Sequence, residues 1–222
     1  MKNKFSILYK ILFSLLLASG MFIRLGLSSN QFYTHVFFSF TNLSNLLVLV
    51  VTIYSSYSLL CKSKESQWLS QLRISSVLAI LITGIIYHFI LVPEKIIENP
   101  AYTIFAYSNI ICHYVAPIGM TLDWLLFDEK GKIKKTDPLK WLSIPLRYFL
   151  FALFYGSLGN TLPGKSSSYP YFFLDLDKLG VLGVAGWSSL LLLGILIIFY
   201  IIYFVDQALA NYQHSKNKFP LA

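Results

Sequence analysis

Long apolar stretches separated by short polar connections dominate this chain. A transmembrane helix needs about 20 consecutive apolar residues, and six stretches reach or approach that length. Pro145 and Arg147 interrupt the fifth, which is therefore the weakest. The predicted spans are residues 5–27, 35–60, 74–92, 103–127, 141–159 and 181–205. The pattern predicts an all-α polytopic membrane protein, a single six-transmembrane-helix bundle over residues 1–222.

The distribution of charge predicts the orientation of the bundle. Of 222 residues, 56% are hydrophobic and 13% are charged, which is typical of integral membrane proteins. Basic residues, Lys10 and Arg73 among them, concentrate at the N-terminal edge, in alternate connections and in the tail, whereas Arg24 lies near a connection with few. The positive-inside rule then predicts cytoplasmic termini. The net charge of +8 fits anionic lipid headgroups, and no aromatic-interleaved basic groove suggests nucleic acid.

No cofactor or metal motif is recognisable in the sequence. Cys61 and Cys112 lie at different predicted depths, which argues against a disulfide, and four metal-ligating cysteines are absent. Neither a glycine-rich nucleotide motif nor a paired-histidine zinc motif occurs. We therefore expect function without a cofactor or a metal, contained within the bundle.

Polar residues on the second predicted span mark a candidate site. Thr41, Ser44 and Asn45 follow the i, i+3, i+4 spacing of one helical face, and Asn42 is adjacent. Polar groups in hydrocarbon must be satisfied internally, so they usually mark a site. The alternative is that these side chains bond backbone carbonyls or hold helices together, each contributing on the order of 1 kcal/mol.

The fourth predicted span carries a second polar face. Asn109, His113 and Pro117 recur at four-residue spacing, and Pro117 frees a backbone carbonyl near the histidine. Thr41 lies roughly 9 Å from the predicted outer end of the second span, and His113 lies roughly 15 Å from the predicted outer end of the fourth. The two residues are therefore expected at comparable depths. An imidazole beside a hydroxyl is the minimum needed to activate a nucleophile. A purely structural histidine is the alternative.

Two further features concern charge and aromatic residues. Asp123 and Arg147 fall at similar predicted depths, which favours an ion pair between the fourth and fifth spans; the alternative is that each reaches the interface independently. The last outside connection contains the segment 166–175, rich in aromatic residues. This segment is either a lid over the outer end of the helix bundle or an ordinary belt of aromatic residues at the membrane interface. The candidate lid residues are Tyr169, Tyr171, Phe172 and Asp175.

These motifs together resemble a family of bacterial six-transmembrane proteins of the hexahelical "Pr-six-Pr" type. That group is remotely similar to the androgen-induced-gene family of threonine hydrolases, which cleave fatty acid esters of hydroxy fatty acids. The resemblance rests on four motifs: Phe-Thr-Asn-Leu-Ser-Asn at 40–45, His-Tyr at 113–114 with Pro117, Asp-Trp at 123–124, and Tyr-Pro-Tyr-Phe-Phe-Leu-Asp at 169–175.

The resemblance implies particular catalytic residues. The catalytic threonine of the hydrolases falls on Thr41, and their catalytic histidine falls on His113, because an acidic residue, here Asp123, follows ten positions later. Asn42 or Asn45 is then a candidate oxyanion donor. Two departures from the hydrolase pattern are the proline four rather than five residues after the histidine, and asparagine at positions 42 and 45.

The sequence therefore predicts an intramembrane lipid ester hydrolase in a bacterial plasma membrane, with Thr41 as nucleophile and His113 as base. The expected site lining is Ser44, Asn109 and the two asparagines at 42 and 45, and the expected substrate is a hydrophobic acyl ester. The competing interpretation is a non-enzymatic membrane scaffold or a small-molecule carrier. No convincing inverted repeat supports a carrier.

Overall fold

A computed structural model describes residues 2–63, 66–159, 161 and 167–218. Regular structure in these residues is helical, and no β-strand occurs among them, which confirms the predicted all-α class. The helices are α1 (Lys2–Arg24), α2 (Phe40–Leu60), α3 (Gln67–Glu98), α4 (Tyr107–Phe127), α5 (Asp137–Trp141), α6 (Ser143–Ser157) and α7 (Leu176–Lys218). Short 3₁₀ turns occur at Leu27–Ser29, Thr34–Phe38 and Phe172–Leu174.

Five of the described helices, α1, α2, α3, α4 and α7, are long and apolar enough to cross a membrane. They correspond to five of the six predicted spans. The predicted span 141–159 is not among them because α5 ends at Trp141 and α6 has only 15 residues. At 1.5 Å per residue α6 is about 22 Å long, which is shorter than a hydrocarbon core of about 30 Å. Multi-pass membrane character is confirmed, and a sixth span is not.

The chain divides into two compact units, Met1–Asp128 and Glu129–Ala222. The first unit is a four-helix bundle in which α1 and α3 each pack against α2 and α4. Its middle layer is apolar: Leu17, Val48, Ile80 and Met120 are each at most 1% exposed. This layer separates two buried groups of polar side chains, one near Arg24 and one near Asp123.

In the second unit, Asp175 begins the last helix. Its Oδ1 atom accepts hydrogen bonds from the backbone N–H groups of Asp177 and Lys178, both at 3.1 Å, and its Oδ2 atom accepts one from Ser167 Oγ at 2.8 Å. A carboxylate at this position satisfies N–H groups that have no partner within the helix. The Tyr169 ring packs so closely on Gly156 that a Cβ there would overlap it. Both residues therefore have structural contacts in their own unit.

The aromatic residues of the predicted lid also pack within the second unit. The Phe172 and Trp187 rings meet edge to face with centroids 5.5 Å apart, and the Tyr171 and Phe173 rings stack at 5.1 Å. Such pairs contribute beyond their buried area. These contacts hold the segment against α7, and a lid role for it remains a prediction.

Candidate functional site

His113 lies in an unusual turn of α4. The segment Ile111–Val115 is π-helical, and so is Tyr87–Leu91 in α3. The His113 and Tyr87 rings stack with centroids 3.5 Å apart and planes 9° from parallel. Both residues are buried. Single π-helical turns inside α-helices occur frequently at functional sites, and here two of them place a histidine and a tyrosine face to face.

Gly84 allows α3 to approach this turn of α4. A Cβ at Gly84 would lie 2.8 Å from Pro117 Cγ and 3.0 Å from the His113 carbonyl oxygen. Proline has no N–H, so Pro117 cannot bond that carbonyl four residues back. The absence of a side chain at position 84 thus fixes how closely α3 packs on the histidine turn.

Gly84→Ala is expected to lower the thermal unfolding midpoint, at a cost of about 1–3 kcal/mol, because the added methyl overpacks this contact. Differential scanning fluorimetry of the detergent-solubilised protein measures the change. Gly186→Ala, in α7, is the matched control, since a Cβ there meets nothing within 4 Å and alanine favours helix over glycine. Equal midpoints for the two variants would show that the Gly84 contact is not tight.

Arg24, the last residue of α1, reaches His113 and two of the predicted lining residues. Its Nη1 atom donates to Asn42 Oδ1 at 3.3 Å, and its Nη2 atom donates to Asn109 Oδ1 at 3.1 Å. Nη2 also lies 3.3 Å from His113 Nδ1 and 3.5 Å from Nε2. We call Arg24, Asn42, Asn109 and His113 the Arg24 cluster. The cluster joins the end of α1 to the beginnings of α2 and α4.

The His113 ring has a second partner within α4. Its Nδ1 atom lies 3.1 Å from the Asn109 carbonyl oxygen. A guanidinium has only donors and a carbonyl only accepts. A neutral ring protonated on Nδ1 satisfies both neighbours, with Nδ1 donating to Asn109 and Nε2 accepting from Arg24. In this arrangement the basic nitrogen of His113 is occupied by Arg24.

Tyrosine hydroxyls extend the cluster toward the loop before α4. Asn109 Nδ2 donates to Tyr102 Oη at 3.2 Å and to the Thr103 carbonyl at 3.1 Å, while the Tyr102 and Tyr87 hydroxyls lie 2.7 Å apart. Asn109 and the stacked Tyr87 are therefore both held by Tyr102. The network therefore holds the Tyr87 ring in place against His113.

Thr41 lies in the first turn of α2, which begins where Ser39 Oγ accepts a hydrogen bond from the Asn42 N–H at 3.2 Å. The Thr41 side chain is buried. Asn45 Nδ2 donates to the Thr41 carbonyl at 2.8 Å and to the Cys112 carbonyl at 3.1 Å. Asn45 thus connects the backbone of the threonine to the residue before His113.

In the described part of the chain, the hydrogen-bond partners of the His113 ring are Arg24 and the Asn109 carbonyl. Thr41 and His113 are buried in the same bundle and linked through Asn45. Their catalytic roles remain predictions. Use of this pair in catalysis requires the imidazole to leave Arg24.

The polar face of α2 also bonds to other helices. Ser44 Oγ lies 2.7 Å from Thr83 Oγ1 of α3 and donates to the Thr41 carbonyl at 3.0 Å. Both N–H groups of the Asn45 amide are used by the two backbone carbonyls, and its buried Oδ1 atom has no partner. Asn42 Nδ2 donates to the Val36 carbonyl at 3.1 Å. Asn45 therefore has no donor left for an oxyanion in this arrangement.

The ion pair predicted between Asp123 and Arg147 needs correction. Asp123 is 1% exposed, and its carboxylate pairs with Lys10 of α1 and, at 3.2 Å, with Arg73 of α3. Arg73 also pairs with Asp128. Arg147 is exposed and donates to Ser143 Oγ, one turn away in α6, at 3.3 Å. We call Lys10, Arg73, Asp123 and Asp128 the Asp123 cluster.

Comparison with protein-family models, with curated proteins and with solved structures gives no match. Among the described residues, no three histidine, cysteine, aspartate or glutamate side chains are grouped so as to hold a metal ion. The Arg24 cluster with its neighbours Thr41 and Asn45 is therefore the candidate site, and its chemistry is that of imidazole, hydroxyl, amide and guanidinium groups.

Proposed function

We propose that this protein is an intramembrane hydrolase of lipid esters in which Thr41 is the nucleophile and His113 the general base. The observation that carries the proposal is the buried His113 in a π-helical turn, stacked on Tyr87 of a second such turn. Such turns are rare and occur frequently at functional sites. The link from Thr41 through Asn45 to the histidine turn supports the same pairing.

The proposed reaction proceeds in two steps. Thr41 Oγ1 attacks the ester carbonyl carbon while His113 accepts its proton; the bond to the alcohol oxygen breaks, and that proton passes to the departing alcohol. Water then attacks the threonine ester with His113 again taking a proton. The fatty acid leaves, and Thr41 recovers its hydrogen. His113 must turn from Arg24 toward Thr41 before the first step.

The proposal includes the setting of the site. His113 is six residues after the first residue of α4, roughly 9 Å along the helix, and Thr41 is in the first turn of α2. An ester at the boundary between headgroups and acyl chains would lie at this depth. We propose that this is the outer face of a bacterial plasma membrane, with six crossings and both termini cytoplasmic, as the distribution of basic residues favours.

Covalent labelling tests the nucleophile. Purified protein in detergent is incubated with a fluorescent fluorophosphonate, and the modified peptide is identified by mass spectrometry. We expect an adduct on Thr41 that is absent in Thr41→Ala and strongly reduced in His113→Ala. Thr52→Ala is the matched control, since Thr52 is buried on the same helix and its hydroxyl donates to the Val48 carbonyl. An adduct on another residue, or none in the wild type, would contradict the proposal.

A second candidate, a non-enzymatic scaffold, is favoured by one observation. Polar side chains of the first unit bond across helices, as Ser44 does with Thr83 and Asn45 with the Cys112 carbonyl. Such bonds stabilise membrane helix pairs by about 0.6 kcal/mol on average. A scaffold predicts that substitutions at Thr41 and His113 change stability with no turnover to lose. The carrier alternative is disfavoured by the buried apolar layer at Leu17, Val48 and Ile80.

A further inference from the structure

The two charged clusters of the first unit differ in their charge balance. In the Asp123 cluster, two cations face two carboxylates. In the Arg24 cluster the guanidinium donates to two neutral amides and lies against an imidazole, which carries either no charge or a positive one, and the Cys112 thiol also contacts it. Within the described residues no carboxylate lies within ion-pair distance of Arg24. One positive charge in this cluster is therefore unneutralised.

Arg24 also keeps an unused donor. Its Nε atom is buried and has no hydrogen-bond partner, although an arginine near a membrane interface usually extends its head toward water and headgroups. Instead the side chain is turned into the bundle, where Asn42 and Asn109 hold its two terminal nitrogens. A buried donor without a partner is costly. An anionic oxygen group is the ligand that would satisfy both the charge and the donor.

The surroundings of Arg24 indicate what carries that group. Arg24 is the last residue of an apolar helix, and the neighbouring Phe22 and Ile23 are 49% and 40% exposed. A ligand approaching here meets an apolar surface beside a fixed cation. This combination suits an amphiphile with an acyl chain and an anionic head.

We propose that the Arg24 cluster binds the anionic oxygen head of a membrane amphiphile, with Arg24 as the charged ligand. The head is a carboxylate, as in a free fatty acid, or a phosphate, as in a phospholipid. The bound anion neutralises Arg24 and accepts a hydrogen bond from Nε. This binding site goes beyond the proposed hydrolysis and does not depend on it, because Thr41 takes no part in it.

Binding of three fluorescent probes tests the proposal. They share one alkyl chain, contain no ester, and end in a carboxylate, a phosphate monoester or an uncharged hydroxyl. Fluorescence polarisation with the wild-type protein in uncharged detergent is expected to show at least one anionic probe binding about tenfold or more tightly than the hydroxyl probe. Preference for the carboxylate alone identifies a fatty acid, preference for the phosphate alone identifies a lipid headgroup, and preference for both identifies shared anion recognition.

Variants at Arg24 test whether the charge of this residue, and not the surrounding apolar surface, causes the preference for anionic probes. Arg24→Gln is expected to bring the three affinities to within about twofold, and Arg24→Lys to keep part of the anion preference. Arg147→Gln is the matched control, because Arg147 is exposed and bonds only Ser143 in the described chain, and it should keep the full preference. The probes contain no ester, so loss of hydrolysis and loss of anion binding are distinguishable.

Two results would overturn the proposal. One is a wild-type protein that binds the hydroxyl probe as tightly as both anionic probes. The other is an anion preference that survives in Arg24→Gln. If Arg24→Gln does not fold, the comparison of probes on the wild type and on Arg24→Lys still decides.

Discussion

Asp123→Asn is expected to reduce the yield of folded protein severely, at a cost of about 3–5 kcal/mol, because it leaves a buried ammonium without its counter-ion. Lys10 is fully buried in α1 and pairs with Asp123. The Phe127 ring lies 5.2 Å from its Nζ atom, and Arg73 and Asp128 are the further charged residues near it. Asparagine has nearly the same shape as aspartate, so the effect reports charge rather than volume.

The measurement is the monodisperse fraction on size-exclusion chromatography after solubilisation, together with the thermal unfolding midpoint. Glu129→Gln is the matched carboxylate-to-amide control: Glu129 is 81% exposed and pairs with Lys132 at the surface, where ion pairs contribute about 0–1 kcal/mol. Removing both buried charges, as in Lys10→Met with Asp123→Leu, should recover much of the loss. If this double variant is as poor as Asp123→Asn, the charge explanation fails.

The apolar pattern predicted the helices well because it depends on local composition. Five predicted spans correspond to helices long and apolar enough to cross a membrane. The third extends beyond its predicted end at Val92 to Glu98, since Pro93 lies where a π-helical turn has already altered the hydrogen bonding. The fifth was not confirmed because Leu142 and the short α6 divide it.

The polar face of α2 could be predicted from spacing alone. Thr41, Ser44 and Asn45 are all buried and lie on the side that meets α3 and α4. Helical periodicity fixes which residues share a face, and burial follows from their polarity in an apolar helix. The partners of each side chain do not follow from periodicity, because they belong to other helices.

The charged residues show where the sequence was insufficient. Lys10, Arg24 and Arg73 lie near predicted helix ends, where the positive-inside rule treats a basic residue as a loop charge. In the structure all three bond to groups of other helices. The pair between Lys10 and Asp123 spans 113 positions, a separation that spacing cannot reveal. The one signal for Arg24 in the sequence is its position beside a connection with few basic residues.

The π-helical turns at Tyr87 and His113 were also not predictable. Their backbone angles lie in the same region as those of an α-helix, and no residue type is specific for them. Pro117 predicts a freed carbonyl near His113, and in the structure the His113 carbonyl oxygen lies close to Gly84. The stacking of His113 on Tyr87 depends on how α3 and α4 pack and could be seen only in three dimensions.

The second large effect concerns turnover. If Thr41 is the nucleophile, Thr41→Ala should reduce hydrolysis of a lipid ester to the background rate, because no covalent intermediate can form. His113→Ala should lower kcat by about 10²–10⁴-fold, the usual contribution of a general base. Thr52→Ala, a buried threonine of the same helix, should keep the wild-type rate. Unfolding midpoints for all three variants exclude loss of fold as the cause.

The most direct measurement is steady-state release of fatty acid from a fluorogenic acyl ester in mixed micelles, with wild type, Thr41→Ala and Thr52→Ala purified in parallel. We expect turnover by the wild type and by Thr52→Ala, and none above background by a folded Thr41→Ala. Equal rates for wild type and Thr41→Ala, or no turnover by any of the three proteins on a panel of acyl esters, would contradict the proposal and leave the scaffold as the better description.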